Sequence, residues 1–226
     1  MIDSELGKIP KGWEVRRLAD LIYLERGLSH KGKFLSNTGI PLINLRCISS
    51  KDGFIKEGIQ YYNGDFVRRH TAIPGDILIA NTDISQKREI LGSPVIVPDD
   101  TNLTYPIIFT HHFYAVRFFD SLKPVDKEFV YGIMKTIGYE KFVKTYATGI
   151  TELAISKESV LNYKFVYPTK ILIELFSNLS QIIIDKIKNN KNINSSLLAI
   201  HDSLPLKLML GKIRVLMEDG RERQNK

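Results

Sequence analysis

Apolar and polar positions follow different rhythms along the chain. In "EVRRLADLIYLERG", Val15, Leu18, Leu21 and Ile22 fall at helical spacing, which predicts a helix stopped by Gly27. The "IPKGW" before it is a Pro-Gly turn, with Trp13 as a packing anchor. From about Lys33 to Phe119, short apolar runs alternate with turn residues: "IPLINLRCI", "DILIANTD", "SPVIVP" and "IIFTHHFYAVRFF". In the last of these, Phe109, His111, Phe113 and Ala115 alternate with Thr110, His112, Tyr114 and Val116, as in one continuous strand. Residues 126–145 return to helical spacing, with Phe129, Ile133 and Ile137 on one face. A glycine turn, a capped turn at Ser156 and a strand ending at Pro168 follow.

The rhythm then changes again. Leu172, Phe176, Leu179, Ile183, Lys186, Asn190, Ile193, Leu197, Ile200 and Leu204 are spaced by alternating steps of four and three. That is a period of about 3.5 residues, which keeps one stripe facing a partner helix. Pro168 and Thr169 punctuate the start, with a hydroxyl at the N-cap, and Pro205 marks the expected end. At about 1.5 Å per residue such a helix spans roughly 50 Å, more than a domain of this size needs for its own core. A helix packed on its own domain is the alternative, but the centre "DKIKNNKNINSS" is poor core material. The expected fold class is α+β: a β-rich domain over residues 1–168, then a spacer helix and C-terminal segment over residues 169–226.

Composition narrows the classes. The single cysteine, Cys47, excludes an intramolecular disulfide and a cysteine-based zinc site, and suits a reducing, cytoplasmic setting. There is no apolar leader and no run long enough to span a membrane. The net charge of +7 favours polyanionic partners, nucleic acid first among them.

The ordered pieces "LGKIPKGWEVRRLADL", "GIPLINLRCI", "GDILIANTD", "ILGSPVIVP", "TGITELAISKESVLNYKFVYP" and "SLPLKLMLGKIRV" resemble the DNA-specificity subunits of type I restriction–modification systems. The resemblance covers about residues 6–215. It implies a target recognition domain followed by one spacer helix, whereas subunits of that family usually carry two of each and read a bipartite DNA site. The chain therefore looks like a half-subunit, either pairing with a second copy as a homodimer or forming one half of a larger chain. Its polar ending "EDGRERQNK" suits a complete gene product. An antiparallel pair would bring Lys186 and Asn190 together near the dyad and hold two recognition domains about 15 base pairs apart. Two-fold symmetry then predicts a palindromic pair of half-sites.

Sequence reading requires side chains with paired donors or acceptors, and phosphate contacts require Lys, Arg or small hydroxyls. The loop "ANTDISQKREILG" supplies both kinds in Asn81, Thr82, Asp83, Ser85, Gln86, Lys87 and Arg88. Arg68 and Arg69 in "FVRRH", and Lys31 and Lys33 in "ERGLSHKGK", are further phosphate candidates. Lys141 and Lys144, with Thr148 and Thr151 after them, form a third candidate edge. For each group, ordinary solvated surface is the competing explanation. His111 and His112, adjacent in the expected strand, should point to opposite faces and serve a structural role, not a metal.

Catalytic signatures are missing. There is no Asn-Pro dipeptide for an adenine methyltransferase loop, and no Asp or Glu followed two places on by Lys for a nuclease. No G-x-S-x-G, complete Walker loop or H-E-x-x-H is present. The expectation is a non-catalytic chain that needs no cofactor of its own. In the resembled family, DNA methylation and cleavage belong to separate modification subunits and a restriction subunit. The segment Leu206–Val215, the N-terminal helix and the outer side of the spacer are the expected docking places for modification subunits. The rival reading is a coiled-coil assembly protein whose β-rich domain binds RNA or another protein.

Overall fold

The computed structural model describes residues 1–49, 53–85, 89–99, 103–119 and 125–210. It falls into two units, Met1–Asn178 and Leu179–Lys226.

The first unit is layered. Its centre is a four-stranded antiparallel sheet in the order Pro94–Ile96, Ile77–Ala80, Phe113–Phe118, Ile22–Arg26. Alternation along the middle strands supplies two cores at once. Ile77, Ile79, Tyr114 and Val116 join a cluster with Val130, Met134, Tyr139, Val143 and Val160 from three helices, α1 (Val125–Met134), α2 (Ile137–Thr145) and α3 (Lys157–Leu161). Leu78, Ala80, Phe113 and Ala115 face the other way, onto Ile43, Ala72, Ile107 and Phe109. These belong to a five-stranded mixed sheet in the order Thr71–Ala72, Ile107–Phe109, Ile40–Ile43, Gln60–Tyr62, Leu35–Ser36, in which the second and third strands run parallel. A sheet covered on both faces explains why "ILIA" carries no polar position.

Two expectations of local structure are overturned. The segment from Glu14 to Gly27 is not a helix: Glu14–Arg17 and Ile22–Arg26 are strands, joined through a short turn of 3₁₀ helix at Leu18–Asp20. Long-range pairing outweighs the local spacing. Glu14–Arg17 pairs with Lys164–Tyr167, and Ile22–Arg26 lies along Phe113–Phe118. The Asp20 carboxylate accepts the Arg17 N–H at 2.7 Å and pins the turn. Nor is "IIFTHHFYAVRFF" one strand. Ile107–Phe109 belongs to the five-stranded sheet and Phe113–Phe118 to the four-stranded one, so residues 110–112 form a corner between sheets.

Smaller differences have local causes. The helix expected over 126–145 is interrupted where Thr136 caps α2, its hydroxyl accepting the Tyr139 N–H at 3.2 Å. Phe129 and Ile133 pack on the core as expected, whereas Ile137, just after the cap, is exposed. Trp13 is half-buried, and Ser156 caps α3 through the Ser159 N–H.

The last helix, α4, runs over Lys170–Met209 and continues through Pro205, beyond its expected end. Its opening turns belong to the first unit. Ile173 and Ser177 are buried, and the Phe176 ring meets Phe129 edge-on at 6.0 Å. In the second unit the apolar side chains are largely open: Leu179, Ile183, Ile193, Leu197 and Ile200 are between 49 % and 59 % exposed. No helix among the described residues is long and apolar enough to cross a membrane.

Candidate nucleic-acid interface

Three chain segments converge on the corner 110–112, where the chain turns between the sheets. The first leaves the strand Ile22–Arg26 through Gly27, where a Cβ would lie 2.2 Å from the Thr110 carbonyl oxygen, so only glycine permits the close pass. Leu28 then bridges Thr110; its N–H donates to the Phe109 carbonyl at 2.8 Å and its own carbonyl accepts the His111 N–H at 2.9 Å. The second segment follows the central strand. Asn81 is buried, its backbone N–H donating to the His112 carbonyl at 2.9 Å and its side-chain amide to the His111 carbonyl at 3.0 Å. Arg26 reaches the same His111 carbonyl at 3.3 Å.

The remaining segment is the turn from Thr148 to Ala154. Thr148 and Ala154 exchange backbone hydrogen bonds of 2.9 and 2.8 Å, and Gly149 closes the turn at φ +116°. Leu153–Ala154 pairs with Thr82–Asp83, which carries Glu152 to the corner. Nδ1 of His112 lies 2.7 Å from the Thr82 hydroxyl and 3.1 Å from the Glu152 carboxylate. A carboxylate can only accept, so the Glu152 contact requires a proton on Nδ1. With Nδ1 unprotonated, the Thr82 hydroxyl can donate to it instead.

The two neighbouring histidines do not part to opposite faces, because they sit in a corner and not in a strand. Their rings lie 4.0 Å apart at 37°, and His30 stands 6.4 Å from His111. Burial lowers the pKa of His30, helped by His111, and burial likewise lowers that of His112, where His111 adds to the effect and Glu152 opposes it. Among the described residues no group of three or more His, Cys, Asp or Glu side chains is placed to hold a metal ion.

The structure sorts the expected contact residues into distinct roles. Asn81, Thr82 and Asp83 are buried, between 1 % and 4 % exposed, with polar atoms turned to the protein. Asp83 ties its loop together, one oxygen accepting the Ser85 N–H at 2.6 Å and the other the Ile90 N–H at 3.0 Å. Ser85 is exposed; Gln86, Lys87 and Arg88 lie outside the described residues. Thr148 and Thr151 are exposed on the turn that pairs with Thr82–Asp83, and Lys31 is exposed next to His30. Lys33 lies 4.9 Å over the Phe34 ring. The segment Gly27–Lys33 has the spacing of a phosphate loop, but Phe34 follows where a hydroxyl is needed and only a short 3₁₀ turn comes after.

The remaining candidates sit on two other elements. Arg68 and Arg69 are on a 3₁₀ turn at Arg68–His70, where Arg69 donates to His70 at 3.3 Å. Lys144 is engaged with Glu140 at 2.5 Å on α2, and Lys141 is exposed there. Sequence reasoning took His111 and His112 as structural and did not bring them together with His30, Glu152 and Arg26 at a corner. The signal was a polar triplet, Thr110-His111-His112, interrupting two apolar runs, which marks a sheet-to-sheet corner better than a long strand.

Comparison with known proteins points in one direction. No family model matches the chain. It is 26 % identical over 223 residues to the type I restriction enzyme MjaIX specificity subunit of Methanocaldococcus jannaschii, covering 94 % of this chain and 47 % of that protein. The MjaVIII specificity subunit of the same organism is 23 % identical over 222 residues, covering 94 % and 49 %. The chain thus spans about half the length of the curated relatives it matches. Its fold is that of the type I restriction–modification S subunit from M. genitalium, with a TM-score of 0.61 at 14 % identity over 89 % of this chain and 47 % of the other.

Proposed function

We infer that this chain, a relative of the specificity subunits of type I restriction–modification systems, is a non-catalytic DNA-reading half-subunit. It recognises one half of a bipartite duplex site and directs separate modification subunits, and where present a restriction subunit, to it. The sequence match along 94 % of the chain carries this reading. The exposed apolar seam of α4 supports pairing with a second copy or an equivalent half.

The seam also favours one register. In an antiparallel pair each position meets one of the opposite heptad type. If Lys186 meets Asn190 of the other helix, then Ile183 meets Ile193, Leu179 meets Leu197, Phe176 meets Ile200 and Leu172 meets Leu204. Polar faces polar in the two central layers, and apolar faces apolar in all the others. Sliding by one heptad sets both polar residues against aliphatic ones. The dyad falls between residues 186 and 190, near the middle of a helix about 60 Å long at about 1.5 Å per residue.

Within the β-rich domain, Asn81 and Asp83 act as positioning residues for the reading loop and the corner. Exposed Ser85, Thr148, Thr151 and Lys31 stand at the duplex, and Arg68, Arg69, Lys33, Lys141 and Lys144 add positive charge toward phosphates.

Single-molecule sequencing of adenine methylation in the host, with and without this gene, tests the reading. Loss of a bipartite palindromic mark on deletion is the expected outcome, and loss of an asymmetric mark identifies a different partner half. If no mark depends on the gene, the DNA-reading role falls and the chain is better read as an assembly protein binding RNA or another protein.

A further inference from the structure

We propose that His30, His111 and His112 are specificity-determining residues whose ring N–H groups donate to acceptor atoms on the DNA base edges, N7 of purines and O6 of guanine, and that His112 takes up a proton as it does so. The proposal rests on the DNA-reading role argued above and adds residues that the relatives' names do not assign.

The corner is built to present imidazoles. Its backbone is closed by the Leu28–Thr110 bridge, the Asn81 amide and Arg26, so the rings sit on a rigid support. Yet the polar atoms within are unspent. Nδ1 of His30, Nδ1 of His111 and Oγ1 of Thr110 are buried with no hydrogen-bond partner among the described residues. Buried polar atoms are seldom left so, and here three fall within two residues of a single bridge; an unprotonated Nδ1 in His30 and His111 leaves Nε2 as the donor of each ring. The rings themselves are only half-buried, at the junction of the loops that carry Lys31, Ser85 and Thr151.

The charged surroundings favour an acceptor as the ligand. Around the rings stand Arg26 on the strand before the corner, Lys31 after it, and Glu152 on the paired turn, with the Tyr62 ring edge-on to His30 at 6.4 Å. Glu25 and Asp76 are both committed to Arg117, at 2.7 and 2.8 Å. Burial and the neighbouring imidazoles hold His30 and His112 toward the neutral form, with Glu152 opposing at His112. A guanine edge or a nearby phosphate supplies the missing negative potential and stabilises imidazolium. His112 has a place for the change, since protonation at Nδ1 turns its partner from Thr82 to Glu152.

The test uses the complete chain in its host. The gene is replaced by His111→Ala/His112→Ala and, separately, by His111→Asn/His112→Gln, which keep hydrogen-bonding groups but do not ionise. Methylation mapping reads the site used by each. Binding of each purified chain to a duplex carrying the mapped site and to a scrambled duplex is then measured between pH 6 and 8. The expected result for the alanine variant is a half-site relaxed at one or two positions, with discrimination reduced roughly 5- to 150-fold. The wild-type chain should bind its site more tightly as pH falls, by up to about tenfold per pH unit for one proton taken up, and the Asn/Gln variant should show a flat profile. An unchanged methylated sequence in the alanine variant, or a wild-type pH profile in the Asn/Gln variant, overturns the proposal. If the unmodified gene directs no mark, the DNA-reading role itself fails, and this proposal with it.

Discussion

The strand Ile77–Ala80 and the helical segment beyond Leu179 are made of the same kinds of residue and meet opposite fates. All four side chains of the strand are buried, two under the helices and two against the second sheet. The helix leaves Leu179, Ile183, Ile193, Leu197 and Ile200 about half open. The strand finds its partners within its own chain, through pairings up to several tens of residues away. The helix has an equally regular apolar stripe that the other described residues leave half open, and in the reading proposed above a second copy or an equivalent half covers it. Apolar pattern alone therefore tells that burial is required, while the fold tells who supplies it.

The most drastic way to break this contrast is the double substitution Leu179→Asp with Leu197→Asp. It should abolish pairing, halving the mass seen by light scattering, while the β-rich domain keeps its cooperative thermal transition. An unchanged mass would mean that the seam is not the interface. Ile79→Ala addresses the opposite region: a cavity in a doubly covered sheet should cost about 2–5 kcal/mol in denaturant titration without weakening self-association. A subtler probe is Ser156→Ala, which removes the cap of α3 and should cost about 1 kcal/mol. Here too the loss should appear in stability and not in mass.

Acid should act only on the first region, and least of all. His30 and His112 have pKa values lowered from 6.5, chiefly by burial. The unfolded chain thus binds more protons than the folded one as pH falls through that value. Stability is complete above about pH 6.5 and declines below it. A melting series from pH 7.5 to 5 should show the midpoint dropping, with a shallower fall in His112→Gln. A midpoint that rises on acidification would contradict the lowered pKa values of these half-buried rings.

The sequence made some of this legible and hid the rest for physical reasons. The heptad seam was readable because helical periodicity is local and α4 continues it without a slip from Leu172 to Leu204. The buried strand "ILIA" was readable because no polar residue interrupts it. The segment Glu14–Gly27 misled because its helical spacing is equally local, while the strands that capture it, Phe113–Phe118 and Lys164–Tyr167, lie about 90 to 150 positions away. The polar stretch after Ala80 was legible as a loop following a strand, yet Asn81, Thr82 and Asp83 turn inward, since a pattern of polar residue types does not say which way they point. The histidine corner was missed for a related reason. Alternation runs smoothly through Phe109 and Phe113, and only the change of sheet partner shows that the chain bends between them.

The pairing of Glu14–Arg17 with Lys164–Tyr167 has a consequence on a different scale. Arg16 lies 4.2 Å over the Tyr167 ring, and the Leu18 N–H donates to the Tyr163 carbonyl at 3.0 Å. The two ends of the β-rich domain are thus fastened side by side, immediately before α4 begins at Lys170. Everything between them forms a closed excursion that leaves and returns at one spot, the arrangement in which inserted and exchanged segments are best tolerated. At the level of the gene, two crossover points, one near codon 14 and one near codon 167, would exchange at once every loop proposed above to read DNA and leave the helix intact. If the proposed DNA-reading role holds, such a cassette would change its target in a single recombination event, with no intermediate in which half of an old surface is joined to half of a new one.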